Sequence, residues 1–138
     1  MAMLKQFPIT ELIKAIQTTV KTGTGRKCLD HVEKNEPSPF YYVEFRTSHP
    51  GNSKTMFVQD YVVYIHVITE ETESSVPLYK YIEELEEALT QDIEIPDPYN
   101  LVFQMNNGVV SNYREETGEL HGVVQYTFRI SYGWKCKL

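Results

Sequence analysis

Leu120 to Tyr132, read LHGVVQYTFRISY, is the stretch that decides the fold. Val124, Tyr126, Phe128, Ile130 and Tyr132 alternate with Gln125, Thr127, Arg129 and Ser131. Period-2 alternation of this kind gives a strand one face of which is buried. A strand with one apolar face needs apolar helices to cover it, and the chain supplies two. Ile9, Leu12, Ile13, Ile16 and Val20 keep the spacing of one helical face, with Pro8 suited to the first turn and Thr22-Gly23-Thr24-Gly25 closing it. Gly23 suits the left-handed cap of that helix. Leu78, Tyr81, Ile82, Leu85, Ala88 and Leu89 form a second such face after Ser74, Ser75 and Pro77. Glu83, Glu84, Glu86 and Glu87 line its solvated side.

Between the helices, Cys28 to Val32 reads as a short edge strand. The turn Asn35-Glu36-Pro37-Ser38-Pro39 then leads into a strand from Phe40 to Thr47. Tyr41, Val43 and Phe45 share one of its faces; Tyr42, Glu44 and Arg46 share the other. Ser48 to Ser53 reads as a loop. Thr55 to Thr69 is extended beyond the usual strand length of about 5–6 residues, and a bulge near Gln59-Asp60 would bend it. These two strands are expected to form a long projecting hairpin. After Ile95-Pro96-Asp97-Pro98, a strand runs from Tyr99 to Asn106. Asn107-Gly108 signals a hairpin, and Val109 to Arg114 returns. The expected architecture is α+β: an antiparallel β-sheet with two α-helices packed on one face, in a single domain over residues 1–138.

The bulk numbers set limits on function. Hydrophobic residues make up 41% and charged residues 23%, ordinary for a folded domain. The net charge of -6, from 19 acidic and 13 basic side chains, argues against general nucleic-acid binding, which rests on phosphate neutralisation. Tyr61 to Ile68, the longest apolar-rich run, is far short of the ~20 residues of a membrane helix. The opening residues show no positive-apolar-cleavage pattern, so no signal peptide is expected. Met1-Ala2-Met3 reads as an extension ahead of a start at Met3. Cys28 and Cys136 make neither a zinc quartet nor a CxxC pair and read as reduced thiols.

No pattern points to catalysis. Gly23-Thr24-Gly25-Arg26-Lys27 follows a helix, where a phosphate loop follows a strand. The four histidines, His31, His49, His66 and His121, show no metal-ligand spacing. His66 reads as a sheet residue on the face of Tyr64 and Ile68, while His49 and His121 fall in or beside loops. The glutamates of the second helix share one environment, so nothing splits their pKa values into an acid and a base. No catalytic, cofactor-binding or metal residue is therefore expected. Ten tyrosines and six phenylalanines suit core packing and also a protein interface. Helices on one face leave Tyr42, Gln125 and Arg129 available to a neighbour.

The order helix, extended hairpin, helix, antiparallel strands resembles siphophage tail terminators and head-tail joining (tail completion) proteins. Glu116 to Ile130 is similar to their late strand after a short glycine turn. Pro39 to Phe45 is similar to their first hairpin strand, and the long segment from Ser48 to Thr69 to their projecting hairpin. The resemblance implies a hexameric ring at the head-proximal end of the tail, a chain that can be monomeric in isolation, and phage tail-tube and connector proteins as partners. It implies assembly in the host cytoplasm, then residence in the virion. It carries no catalytic residue, no membrane contact and no sequence-specific nucleic acid. The other reading is a small regulatory or ligand-binding α+β module of a mobile element. Under the first reading the two strand-end tips are the expected partner surfaces, with Arg46, His49 and Lys54 near one and Arg114, Glu115 and Glu116 near the other.

Overall fold

A computed structural model describes residues 4–135; Met1-Ala2-Met3 and Cys136, on which expectations were stated above, lie outside the described residues. The elements are α1 (Ile9–Thr24), β1 (Cys28–Leu29), β2 (Phe40–Pro50), β3 (Met56–Glu71), α2 (Val76–Ala88), β4 (Asn100–Arg114) and β5 (Glu119–Trp134). They build a five-stranded sheet in the order β1-β2-β3-β5-β4, with both helices on one face. The fold is α+β.

The alternating face of β5 is where the sequence placed it. Val124, Phe128 and Ile130 are fully buried, with Tyr126, among Leu12, Ile16, Ile82 and Leu85 of the helices. Two tyrosines of the sheet are buried in the same core: Tyr41 donates its hydroxyl to the Tyr81 carbonyl at 2.8 Å, and Tyr61 to the Phe7 carbonyl at 2.7 Å. Each buried phenol thus finds an acceptor, as burial of a hydroxyl requires.

Three sequence expectations are corrected. First, the sheet is mixed at one edge. β1 runs parallel to β2, Cys28 opposite Tyr41, because the chain returns through residues 30–39 before entering β2. Second, Asn107-Gly108 does not reverse the chain. β5 is long enough to pair both halves, Leu101 with Ile130 and Val109 with Val124, so β4 continues through. Gly108 takes a φ of 97° in a bulge, and the Asn106 side-chain oxygen accepts its N–H at 2.7 Å. The same residue types that make a tight hairpin here make a glycine bulge. Third, the left-handed cap of α1 is Gly25 (φ 73°), whose N–H donates to the Lys21 carbonyl.

Gly23 serves the helix crossing instead. A Cβ at Gly23 would lie 2.5 Å from the Cβ of Ala88 on α2. Two effects oppose each other in Gly23→Ala. Alanine favours the helix by about 0.5–1 kcal/mol, while overpacking costs about 1–3 kcal/mol. The contact is between two Cβ atoms on helix backbones, so it cannot be relieved by rotating a side chain. Gly23→Ala is therefore expected to lower the denaturation midpoint, and an unchanged or raised midpoint in urea would show that the helices separate freely.

The bulges also differ in place. β3 shifts register at Phe57/Val58 and Ile68/Glu71, and β2 at Phe45/Thr47, not at Gln59-Asp60. Ser48 to Pro50 belong to β2, and β3 pairs with β5 down to Met56 opposite Trp134. What extends past the ladder at that end is the turn at residues 51–55.

Candidate protein interface

Among the described residues no helix covers the second face of the sheet. Its central residues are Tyr42 and Glu44 of β2, Asp60, Tyr64 and His66 of β3, and His121, Gln125 and Arg129 of β5, brought side by side by the strand register. Several of these side chains satisfy one another. The Arg129 guanidinium donates to both carboxylate oxygens of Asp60, at 2.7 and 2.8 Å, and stacks over the Phe103 ring. The Arg129 hydrogen bonds hold the Asp60 carboxyl below its usual range, against burial.

A second group is a chain of hydrogen bonds across four strands, β2, β3, β5 and β4. His66 Nε2 lies 2.8 Å from a Glu44 oxygen, and His66 Nδ1 lies 2.7 Å from His121 Nε2. His121 Nδ1 lies 2.9 Å from the Tyr113 hydroxyl and 2.8 Å from a Glu115 oxygen. Tyr42 stacks flat on His66, with ring centroids 4.1 Å apart. Donor counting assigns the tautomers. A neutral His66 donates from Nε2 to Glu44 and accepts at Nδ1 from the His121 Nε2–H. Protonating both rings would set two N–H groups face to face across 2.7 Å.

This arrangement makes stability pH-dependent. Burial pushes the His66 imidazole below its ordinary value, only partly offset by the Glu44 hydrogen bond. Burial pulls Glu44 upward, but bonds from His66 and Arg46 outweigh it and hold the carboxyl low. Both groups bind protons more weakly folded than unfolded. Their contributions are present above the unfolded values and are lost as pH falls through the folded ones. For His66 the loss begins near about pH 6.5, the ordinary imidazole value. The Tm should fall between pH 7.5 and 5, and His66→Gln should flatten that slope. A Tm that stays constant over this window in the wild-type chain would contradict the assignment.

The six tip residues divide by what they touch. Arg46 is bound to Glu44 at 3.0 Å and lies over the Tyr64 ring, so it faces the open sheet. His49 belongs to β2 and is 3.5 Å from Asp60. Lys54 is exposed in the turn and has no ion-pair partner among the described residues. Arg114 donates to the carbonyls of Thr72, Gly118 and Glu73, clamping the loop that enters α2. Glu115 reaches His121, while Glu116 is exposed in the turn. The two turns lie at opposite ends of the sheet, because β3 and β5 are antiparallel. At ~3.3 Å per residue, strands of 16 residues separate them by about 50 Å.

The first turn is built rather than loose. Asn52 Oδ1 accepts the Val58 N–H at 2.7 Å, and Ser53 Oγ accepts from Thr55 and Met56. A Cβ on Gly51 would sit 3.1 Å from both Arg129 and Asp60, so the turn rests on that ion pair.

His121 is the functional-looking residue the sequence misplaced. It is buried within β5, not beside a loop, and the pair His66–His121 is separated by 55 positions. Only the register brings them together. Cys28 is a buried thiol pushed up to about 12 by burial, unsuited to nucleophilic chemistry. Among the described residues no group of three His, Cys, Asp or Glu side chains is placed to hold a metal ion.

The chain resembles known proteins in both sequence and fold. A family model described as "Putative tail termination protein" matches residues 3–138. A solved chain from the virion of a native gene transfer agent particle aligns over 89% of this chain and 96% of that one, with a TM-score of 0.67 and 16% identity. At that identity the second likeness shows the fold. No curated protein matches the chain.

Proposed function

The chain belongs to the phage tail termination protein family, structural proteins of the head–tail interface, and from that membership we propose that it acts as one subunit of a closed ring, six-fold in symmetry, that ends the tail and receives the head. The observation that carries this reading is the extent of the family match, which runs from residue 3 to residue 138. The reading contains no catalytic step. The hydrogen-bonded histidines and carboxylates of the open face act as packing and orientation groups. It favours a structural protein over a regulatory or ligand-binding module.

The two turns support a division of labour. They stand at opposite ends of the same sheet, so one subunit can present Lys54 toward one neighbour and Glu116 toward another. In a ring whose strands run along its axis these neighbours are the tail tube and the head connector. Arg46, His49, Arg114 and Glu115 are already engaged within the subunit; His49, Arg114 and Glu115 act by fixing the turns' shape, and Arg46 is held on the open sheet face. Assembly takes place in the host cytoplasm, before the protein enters the virion.

A disrupted gene complemented in trans tests both parts. The wild-type chain should restore infectious particles. Lys54→Glu and Glu116→Lys should each cut the yield about tenfold or more while leaving the Tm unchanged, since reversing a rim charge acts on encounter and docking rather than on folding. Full yield from both variants would remove the tips from the interface. Full yield without the gene would remove the protein from the joint.

A further inference from the structure

β4 is an edge strand along its whole length, paired with β5 on one side only. Natural edge strands are protected by charges, prolines or bulges against joining other chains. Residues 98–113 contain no Asp, Glu, Lys or Arg, the longest such run in a chain that is 23% charged. Val102, Met105, Val109, Val110 and Tyr113 on this strand are 42–48% exposed. Three register shifts interrupt the strand, yet Phe103 to Asn106 stays regular.

The opposite edge is also unfinished. β1 covers β2 only at Tyr41 and Tyr42, so among the described residues the outer side of β2 from Val43 to Pro50 has no strand beside it. Next to it lies a groove of about 820 Å³ whose apolar wall includes Ile9, Ile13, Val32 and Phe45.

The two open edges agree in direction and height. β2, β3, β5 and β4 alternate, so the outermost two run opposite ways. A second copy set beside the first in the same orientation therefore offers its β4 antiparallel to β2. Following the register across the sheet, Val43 is level with Ile65, Val124 and Val109. Pro50 is level with Gln59, Ile130 and Leu101. The open part of β2 thus stands at the height of residues 101–109 of β4. Copies at equal height are what a rotation axis generates.

We propose that residues 101–109 of β4 add as an antiparallel strand to the open edge of β2, residues 43–50, of the next copy of this chain, carrying one sheet across the subunit boundary. The proposal rests on the ring reading and names its lateral contact. Such a contact is heterologous and closes by rotation, whereas two β4 edges paired with each other would be isologous and stop at a dimer. The absence of charge from residues 101–109 of β4 fits a strand whose both sides become buried.

Amide hydrogen exchange on the full chain, isolated and within purified particles, tests it. Residues 101–109 and 43–50 should both gain protection in the particle, at least tenfold at the outward amides. Protection of β4 alone would overturn the proposal in favour of a different chain on that edge, and protection of neither would overturn it outright. Val102→Lys and Val109→Lys, at exposed positions, should melt like the wild type but enter particles at least tenfold less; normal incorporation of both would also overturn it. Absence of the wild-type chain from particles is instead a failure of the ring reading. Edge pairing is then decided on the concentrated purified chain, where a monomer exchanging freely at both edges overturns it.

Discussion

Phe128→Ala is expected to destabilise the protein by about 3–5 kcal/mol, the range for truncating a buried aromatic side chain. Phe128 is 0% exposed and stands at the middle of β5, opposite Tyr61 of β3 and Gln104 of β4, under both helices. Its neighbours on the same face, Tyr126 and Ile130, are themselves packed against the helices and cannot collapse into the space. The variant should melt about 10–20 °C below the wild type, given the usual few degrees per kcal/mol for a chain of this size. Thr127→Ala, one position away on the open face, should change the midpoint little. Equal losses at the two positions would mean that the sheet's faces are assigned the wrong way round.

The second large effect is expected at Arg129. Arg129→Met removes the partner of Asp60, which is 5% exposed, and leaves a carboxylate buried without its two strongest hydrogen bonds. Stranding a buried charge costs about 3–5 kcal/mol; the Arg129 side chain is 34% exposed, so water enters part of the site and the lower end of that range applies. The pH dependence should change sign. In the wild type Asp60 is held below its usual range by Arg129, so its contribution is present above about pH 4 and is lost on acidification. Without Arg129, burial raises the carboxyl and the folded state takes up a proton more readily than the unfolded one. Stability then improves as pH falls toward the carboxylate range. Measuring Tm at pH 7 and pH 5 for Arg129→Met against Asp60→Asn shows this directly. Because Gly51 lies against this pair, the turn at 51–55 should exchange its amides faster in Arg129→Met. An Arg129→Met variant as stable as the wild type, with the same acid slope, would mean that the pair contributes nothing.

Period and capping made much of this fold legible. The faces of α1, α2 and β5 follow from apolar spacing alone, because each element buries one side against the same core. What failed were signals with two physical meanings. Asn-Gly fits a tight hairpin and a bulge equally well, and only the length of β5 decides that β4 runs straight through Gly108. Gly23 and Gly25 are both able to cap α1; the approach of Ala88, a contact 65 positions away, takes one of them for helix packing. The two polar turns at 51–55 and 115–118 were legible as turns. Their placement at opposite ends of the sheet was not, since it depends on the register of β3 against β5. The use of Arg114 as a backbone clamp and the pairing of His66 with His121 were hidden for the same reason: long-range partners leave no local pattern.

A cryo-electron microscopy reconstruction of the head–tail junction decides whether this chain forms the joint between tail and head. A ring is expected at the head-proximal end of the tail in which each subunit is fitted by this five-stranded sheet and its two helices, with the turns at 51–55 and 115–118 directed to opposite faces of the ring. A junction built without this fold, or this chain found at another place in the particle, would contradict it.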